Sequence, residues 1–418
     1  MTPGARAAAV IALCQEIETG AQPADVILTR FFKENRYAGS KDRRAIRAQV
    51  YDMLRHRARL DWWLQTQEAP VTARTRLLAW AVLTDGAAAA QAIFAGIKYG
   101  PDPLTDAETP LLAGLDGQSL DQDGMPAWVV GECPEWIYQR LNPPTPALLA
   151  ALNNPAPVDL RVNTLKTTRK EAAWALQAEH IEAVPTVLSP VGLRLSGPAR
   201  LTDGPAFREG LVEVQDEGSQ LCALLVGAAP GMTIVDYCAG AGGKTLAMAA
   251  QASGEATIFA HDGEETRLRR IIPRLKRAGV TNVHLRLPDP GTADRLLVDA
   301  PCSGTGRWRR APETKWTLTP EDVAEFVALQ RRILTESAAL VAPGGWLVYV
   351  TCSLLPEENA AQVSWFLDTV PGFEALDLGA AWQALTGQPP PDDSGAIRLS
   401  PDRHGTDGFF CAALRRQA

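Results

Sequence analysis

The chain has 418 residues, 41 Lys and Arg against 48 Asp and Glu, and a formal net charge of -7. That length exceeds what one hydrophobic core sustains, so two or three domains are expected, and the negative balance confines any polyanion contact to local basic patches. Seven cysteines without a CxxC pair or a neighbouring His cluster exclude a disulfide framework and a structural zinc site, while the absence of a signal-peptide pattern or of a ~20-residue apolar run points to a cytoplasmic setting.

Residues 1–140 carry almost no strand signal. Apolar positions recur at helical spacing at Ala8, Val10, Ile11 and Leu13 and again at Ile46, Val50, Met53 and Leu54, so an all-helical domain is expected. Ser40 is placed to cap one helix, and Thr72 to open another that runs toward Ile97 before Pro101, Pro103 and Pro110 break it. Trp62, Trp63, Trp80 and Trp128 read as packing residues. Basic residues gather between Arg30 and Arg59, and Arg43 and Arg44 are candidate RNA contacts.

A proline-dense link (Asn142, Pro143, Pro144, Pro146, then Pro155 and Pro157) leads into a smaller module over 145–210. Val158 to Asn163 reads as a strand, Thr168 to Ala178 as an amphipathic helix, and Ala183 to Leu195 as strands about Pro190-Val191-Gly192. This α+β module suits single-stranded RNA binding or a spacer role, and periodicity does not choose between them.

Over 211–418 strands and helices alternate. Strands are expected at Thr233 to Tyr237, Ala256 to Ala260, Val283 to Leu285, Leu296 to Val298 and Trp346 to Val350. Helices are expected from Lys244, Glu264 to Ala278, Pro320 to Val341 and after Pro356. The pattern predicts an α/β domain with a doubly wound, mostly parallel sheet.

Its chemistry lies at strand carboxyl ends, where open α/β sheets bind ligands. The first strand runs into Cys238-Ala239-Gly240-Ala241-Gly242-Gly243-Lys244, a small-residue turn opening a helix, which matches neither GxGxxG nor GxxxxGK[ST]. Asp262, about twenty residues on at the end of the next strand, is placed to accept ribose hydroxyls. Asp289, after the third strand, suits an adenine or ribose edge or a solvated loop. Two later strands each deliver a thiol: Cys302 in Asp299-Ala300-Pro301-Cys302-Ser303-Gly304 and Cys352 in Thr351-Cys352-Ser353. A thiolate is the side chain suited to attack an unreactive pyrimidine carbon.

These three motifs, in this order, resemble the S-adenosylmethionine-dependent RNA cytosine-5 methyltransferases of the Sun type. Val214 to Ser219, Arg309-Arg310-Ala311-Pro312 with Lys315-Trp316, and Asp407-Gly408-Phe409-Phe410 add to the likeness, which covers residues 150–416; Ala241 stands where the family usually has Pro. The helical N-terminus, with Ser40 to Arg44, resembles the NusB-like RNA-binding domain of the branch that modifies 16S ribosomal RNA. The resemblance implies a Rossmann-like class I domain with a seven-stranded sheet. It implies S-adenosylmethionine held by Cys238, Ala239, Gly240, Ala241, Gly242, Gly243, Lys244, Asp262, Asp289 and Asp299. It further implies Cys352 as the nucleophile at cytosine C6 and Cys302 as the thiol that helps release the adduct. Asp299 is placed to accept from the cytosine exocyclic amine or, if protonated, to donate to N3, and Lys244, just past the turn, to face the base.

A duplex hides C6, so the target must be single-stranded or flipped out. Arg307, Arg309 and Arg310 are then expected at flanking phosphates, with Trp308 as a stacking surface. The protein is expected to be a monomer that uses no metal and no membrane. Two other readings remain: a non-catalytic ribosome assembly factor, and a methyltransferase for transfer RNA or DNA. DNA enzymes use the Pro-Cys thiol as nucleophile, so the second thiol and the helical N-terminus favour RNA.

Overall fold

The computed structural model describes residues 1–20, 22–141 and 144–418. Asn142 and Pro143 of the expected link lie outside the described residues. The chain forms two compact units: Met1–Asn154 with Trp308–Leu318, and Pro155–Arg307 with Thr319–Ala418.

The first unit consists of helices joined by loops and has no strand among its described residues. Helices Pro3–Glu18, Ala24–Glu34, Ser40–Arg55, Arg57–Thr66 and Ala73–Asp85 bury Val10, Leu13, Ile27, Ile46, Val50, Leu60 and Leu77 in one core. Thr72 caps its helix in a reciprocal box with Thr75. Gly86, at φ +87°, then ends that helix at Asp85, and a separate short helix, Ala87–Ile93, follows in place of one continuous helix. Ser40 is the first residue inside its helix; Gly39 holds the cap position, which corrects the expectation for Ser40. Trp63 is buried, and Trp62, Trp80 and Trp128 pack on the core as partly buried residues.

The segment Trp308–Leu318 is built into this helical unit. Lys315 is 1% exposed, and its ammonium donates to the Glu132 carbonyl at 3.0 Å and to Asn153 Oδ1 at 2.8 Å. Trp316 Nε1 donates to the Leu54 carbonyl at 2.8 Å, and Glu313 accepts the Ala24 N–H at 3.1 Å. Burial pulls the Lys315 pKa down to about 8 and pushes that of Glu132 up to about 7, although Lys315 and Arg59 favour the Glu132 carboxylate.

The second unit holds two sheets. The smaller is antiparallel, in the order β2-β3-β1-β4, from β1 (Asp159–Val162), β2 (Ala183–Pro185), β3 (Gly192–Leu195) and β4 (Val212–Val214). Helix Arg169–Ala178, capped by Thr168 and Glu171, contributes Ala172 and Leu176 to the core beneath it.

The larger sheet comprises β5 (Thr233–Asp236), β6 (Thr257–Ala260), β7 (Val283–His284), β8 (Ala293–Asp299), β9 (Val341–Thr351), β10 (Phe373–Leu376), β11 (Ile397–Leu399) and β12 (Phe409–Arg416). Its order is β10-β12-β9-β8-β5-β6-β7, seven strands as expected, with β11 added as an eighth beside β12. Strands β9-β8-β5-β6-β7 are parallel, whereas β12, β10 and β11 join antiparallel. Both faces are buried: Ile234, Leu297 and Val348 pack on one side, Val235, Leu296, Val298 and Tyr349 on the other.

The sequence runs from β5 outward to β6 and β7 on one side and crosses to β8 and β9 on the other. This makes the edge of β5 and β8 a topological switch point, where a ligand crevice forms. The expected helix Glu264 to Ala278 is broken into Glu265–Leu268 and Ile271–Ala278. Pro273 is the cause, because it has no N–H for the Arg269 carbonyl and its ring crowds that group.

Candidate active site

Four strand ends converge on the switch point. Strand β8 ends at Asp299 and leads into Pro301-Cys302, while β9 ends at Thr351 and leads into Cys352; since the two strands pair in parallel with Asp299 opposite Val350, both thiols emerge at the same edge. The sulfurs are 3.4 Å apart and unbonded. A hydrogen bond from Cys302 holds the Cys352 thiol below its ordinary pKa, aided by Arg307 and Lys244 and opposed by burial and Asp299. That same hydrogen bond, with burial and the charge of Glu358, holds Cys302 well above its own. The pair is thus polarised, with the negative charge favoured on Cys352.

Lys244, one residue into the helix Gly243–Gln251, is buried and donates to Asp299 Oδ2 at 2.6 Å. Burial depresses the Lys244 ammonium, but the charge and hydrogen bond of Asp299, together with Cys222 and Cys352, leave it raised. Its ammonium also lies 5.5 Å from the centre of the Phe409 ring.

Residues 239–243 of the turn from β5 to that helix carry nothing larger than a methyl group, and the side chains of Arg267 and Ile271 pack directly against Gly240 and Gly242. Gly240 and Gly242 take φ +54° and +83°, and a Cβ on Gly242 would lie 2.2 Å from Ile271 Cγ1. Asp262 accepts the Gly240 N–H at 2.8 Å and the Glu264 N–H at 3.0 Å, which ties the end of β6 to the turn. Arg274 donates to the Ala241 carbonyl at 2.6 Å and pairs with Glu213 at 3.2 Å.

At the end of β5, Asp236 accepts the Thr245 hydroxyl at 2.6 Å, while its other oxygen is buried without a partner. Burial raises its pKa to about 7. Cys238 is half-buried, and burial pushes its thiol upward. A nucleoside-bearing cofactor fits this turn, because residues 239–243 have only small side chains at the start of a helix and a carboxylate stands at the next strand end.

The structure therefore gathers Cys302 with Cys352, Lys244 with Asp299, and Asp262 with the glycine turn. Asp289 stands apart from these contacts, exposed in the loop after β7. Arg307 is exposed just beyond the thiols, Arg310 is half-buried and Arg44 is exposed. Arg43 donates to the Ala38 carbonyl at 2.8 Å and lies over the Phe32 ring. Trp308 and Arg309 are 1% and 6% exposed within the helical unit, so the expected stacking surface at Trp308 and phosphate contact at Arg309 are corrected: neither side chain is presented to solvent.

Sequence reasoning missed Glu358, Ser303, Ser353, Gln330 and Arg274. Each acts through partners remote in sequence, and only the Pro356-Glu357-Glu358-Asn359 turn directly after the second thiol offered a local signal. Among the described residues no group of three or more His, Cys, Asp or Glu is arranged to hold a metal, and no helix is long and apolar enough to cross a membrane.

Residues 223–415 match the family model for the 16S rRNA methyltransferase RsmB/F, and residues 133–202 match that for the RsmF/B-like ferredoxin-like domain. Over 312 residues the chain is 34% identical to a Synechocystis protein named probable ribosomal RNA small subunit methyltransferase B, covering 71% of this chain and 70% of that one. A ribosomal RNA small subunit methyltransferase B from Salmonella arizonae is 38% identical over 293 residues, 67% of this chain and 66% of the relative.

Among solved structures, the crystal structure of PH0851 superposes with a TM-score of 0.77 at 25% identity, covering 100% of this chain and 99% of that one. A methyltransferase homolog protein from Pyrococcus horikoshii gives 0.58 at 29% identity, over 69% and 97%. The likeness runs from the small antiparallel sheet through both cysteine strands to β12, and on it the chain belongs to the RsmB/F family of 16S rRNA methyltransferases.

Proposed function

We propose that the protein methylates C5 of a cytosine in 16S ribosomal RNA, using S-adenosylmethionine and a transient bond between Cys352 and C6 of the base. The observation that carries this reading is the polarised pair of thiols 3.4 Å apart at neighbouring strand ends. One inert buried cysteine is ordinary packing; two in contact beside a nucleoside-fitting turn are a reaction centre.

The backbone of residues 238–243 and the N-terminus of the following helix would hold the amino-acid end of the cofactor, Asp262 its ribose, and Asp289 its adenine or ribose edge. When bound, S-adenosylmethionine supplies an electrophilic methyl group. The Cys352 thiolate forms the S–C6 bond, and the π electrons of the C5–C6 bond move to C5, which becomes the nucleophile. Asp299, steadied by Lys244, accepts from the exocyclic amine and orients the ring. After C5 has gained its methyl group and lost its proton to a base, the S–C6 electrons return to sulfur and the ring double bond re-forms. Cys302 assists that release.

Outside the thiol site, Arg307 and Arg310 are assigned to flanking phosphates. In the helical unit, NusB-like by resemblance, Lys33, Arg43, Arg44 and Arg47 line a cavity of about 680 Å³ with Thr29 and Phe32, which suits a phosphate backbone.

The test is incubation with 16S RNA fragments and labelled methyl donor, followed by mass-spectrometric mapping. Cys352→Ala is expected to lower methyl transfer by at least about a thousandfold, whereas Cys302→Ala accumulates protein covalently held on RNA. Sustained turnover by the Cys352 variant rejects the assignment. RNA binding without methylation favours an assembly role, and methylation of transfer RNA alone replaces the substrate.

A further inference from the structure

Glu358 ends the short helical turn Pro356–Glu358 after β9 and is fully buried. No cation pairs with it among the described residues. Its carboxylate instead accepts four hydrogen bonds. Oε1 takes the Ser303 N–H at 2.9 Å and Gln330 Nε2 at 3.0 Å; Oε2 takes Ser353 Oγ at 2.5 Å and Ser303 Oγ. Ser303 and Ser353 directly follow the two cysteines, and their hydroxyls are 3.1 Å apart. Gln330 Nε2 also donates, at 2.9 Å, to the carbonyl of Pro301, which directly precedes Cys302. The carboxylate thus holds the backbone just after Cys302 and the residue next to Cys352 directly, and the backbone just before Cys302 through Gln330.

Burying a carboxylate without a counter-ion is costly unless its lone pairs are filled, and here donors from three separate segments fill them. Packing alone would be met by an apolar side chain. What the carboxylate adds is a node that fixes distances between loops.

We propose that Glu358 is the positioning residue of the thiol pair, setting the separation at which one sulfur assists release of the base that the other has attacked. The proposal rests on the two-thiol reading above. A displacement near 1 Å at a reacting centre costs on the order of a hundredfold in rate. The Glu358 charge also contributes to the raised state of Cys302, which keeps the proton on that sulfur and favours Cys352 as the thiolate.

Oxidation by a diazenedicarboxamide tests the geometry without RNA or cofactor: two thiols give up two protons and two electrons, the N=N bond is reduced to a hydrazine, and a Cys302–Cys352 disulfide forms, mapped by peptide mass. In the full chain, Glu358→Ala is expected to slow this cross-link at least about tenfold and to lower kcat about a hundredfold, with KM for S-adenosylmethionine unchanged. Glu358→Gln retains an acceptor for Ser303 N–H and Gln330 and offers an amide to the serine hydroxyls, so it is expected to restore both rates to within about tenfold of the parent.

Parent-like cross-linking in Glu358→Ala overturns the proposal, as does a Gln variant as defective as Ala. Slow cross-linking with full methyl transfer keeps the node but rejects the two-thiol chemistry. If Glu358→Ala does not fold, Ser353→Ala removes one arm of the node: slower cross-linking supports the assignment and an unchanged rate overturns it.

Discussion

Cys302 and Cys352 are in contact, and the hydrogen bond between them drives their acidities apart, with Glu358 acting on Cys302 and Arg307, Asp299 and Lys244 acting on Cys352. Alkylation with iodoacetamide, followed residue by residue against pH, should label Cys352 with a midpoint below that of an ordinary thiol, about 8.5, and Cys302 well above it. In Cys302→Ala the Cys352 midpoint should move upward, because the donor that stabilises its thiolate is gone. Equal midpoints in the parent would contradict the polarised pair. Both cysteines could be found from sequence because each ends a short run of β-branched and aromatic residues bounded by turn residues. Glu358 could not, since an acidic residue after a proline reads as solvated. Two of its carboxylate's three partners, Ser303 and Gln330, lie 55 and 28 residues away along the chain.

At the scale of elements, the end of β5 carries a buried carboxyl whose ionisation the fold opposes. The Asp236 pKa stands near 7 against an ordinary 3.8, chiefly through burial. The stability this confers is therefore complete below the ordinary value and is lost as pH rises through about 7. Asp236→Asn keeps the shape and cannot ionise, so the melting temperature of the variant relative to the parent should climb between pH 5 and pH 8, by about 3–6 °C. A difference that stays flat would remove Asp236 as a titrating group.

The alternation of β5 through β9 with helices was readable because buried parallel strands are continuous apolar runs. Strands β10, β11 and β12 were not located by periodicity, although the family resemblance implied seven strands in all. They are antiparallel additions whose partners lie far away in sequence, and only the Asp407-Gly408-Phe409-Phe410 motif marked their position. The break at Arg269–Arg270 needed the proline rule applied inside an otherwise convincing helical pattern.

For the molecule as a whole, the excursion Trp308–Leu318 is the least readable feature. Trp308, Arg309 and Arg310 suggested nucleic acid, whereas the segment packs into the helical unit through Lys315 and Trp316. Lys315→Ala leaves the Glu132 carbonyl and Asn153 Oδ1 without their buried donor and opens a cavity. It should destabilise the helical unit by about 2–4 kcal/mol in denaturant unfolding. A fragment of residues 155–418 exposes Trp308 and Trp316, so it should aggregate when made alone and become soluble when residues 1–154 are supplied as a second chain. Solubility of the fragment without that help would show that the excursion does not depend on the helical core.

Gly306 and Gly408 meet backbone to backbone: a Cβ on Gly306 would lie 2.3 Å from the Gly408 carbonyl oxygen, and the Gly408 N–H donates to the Gly306 carbonyl at 2.8 Å. The loop after the first thiol is thus pinned by residues made about a hundred positions later. The pairing of β8 with β9 can form earlier, so this contact is a restraint that the first-thiol loop gains only after the stretch around Gly408 has left the ribosome.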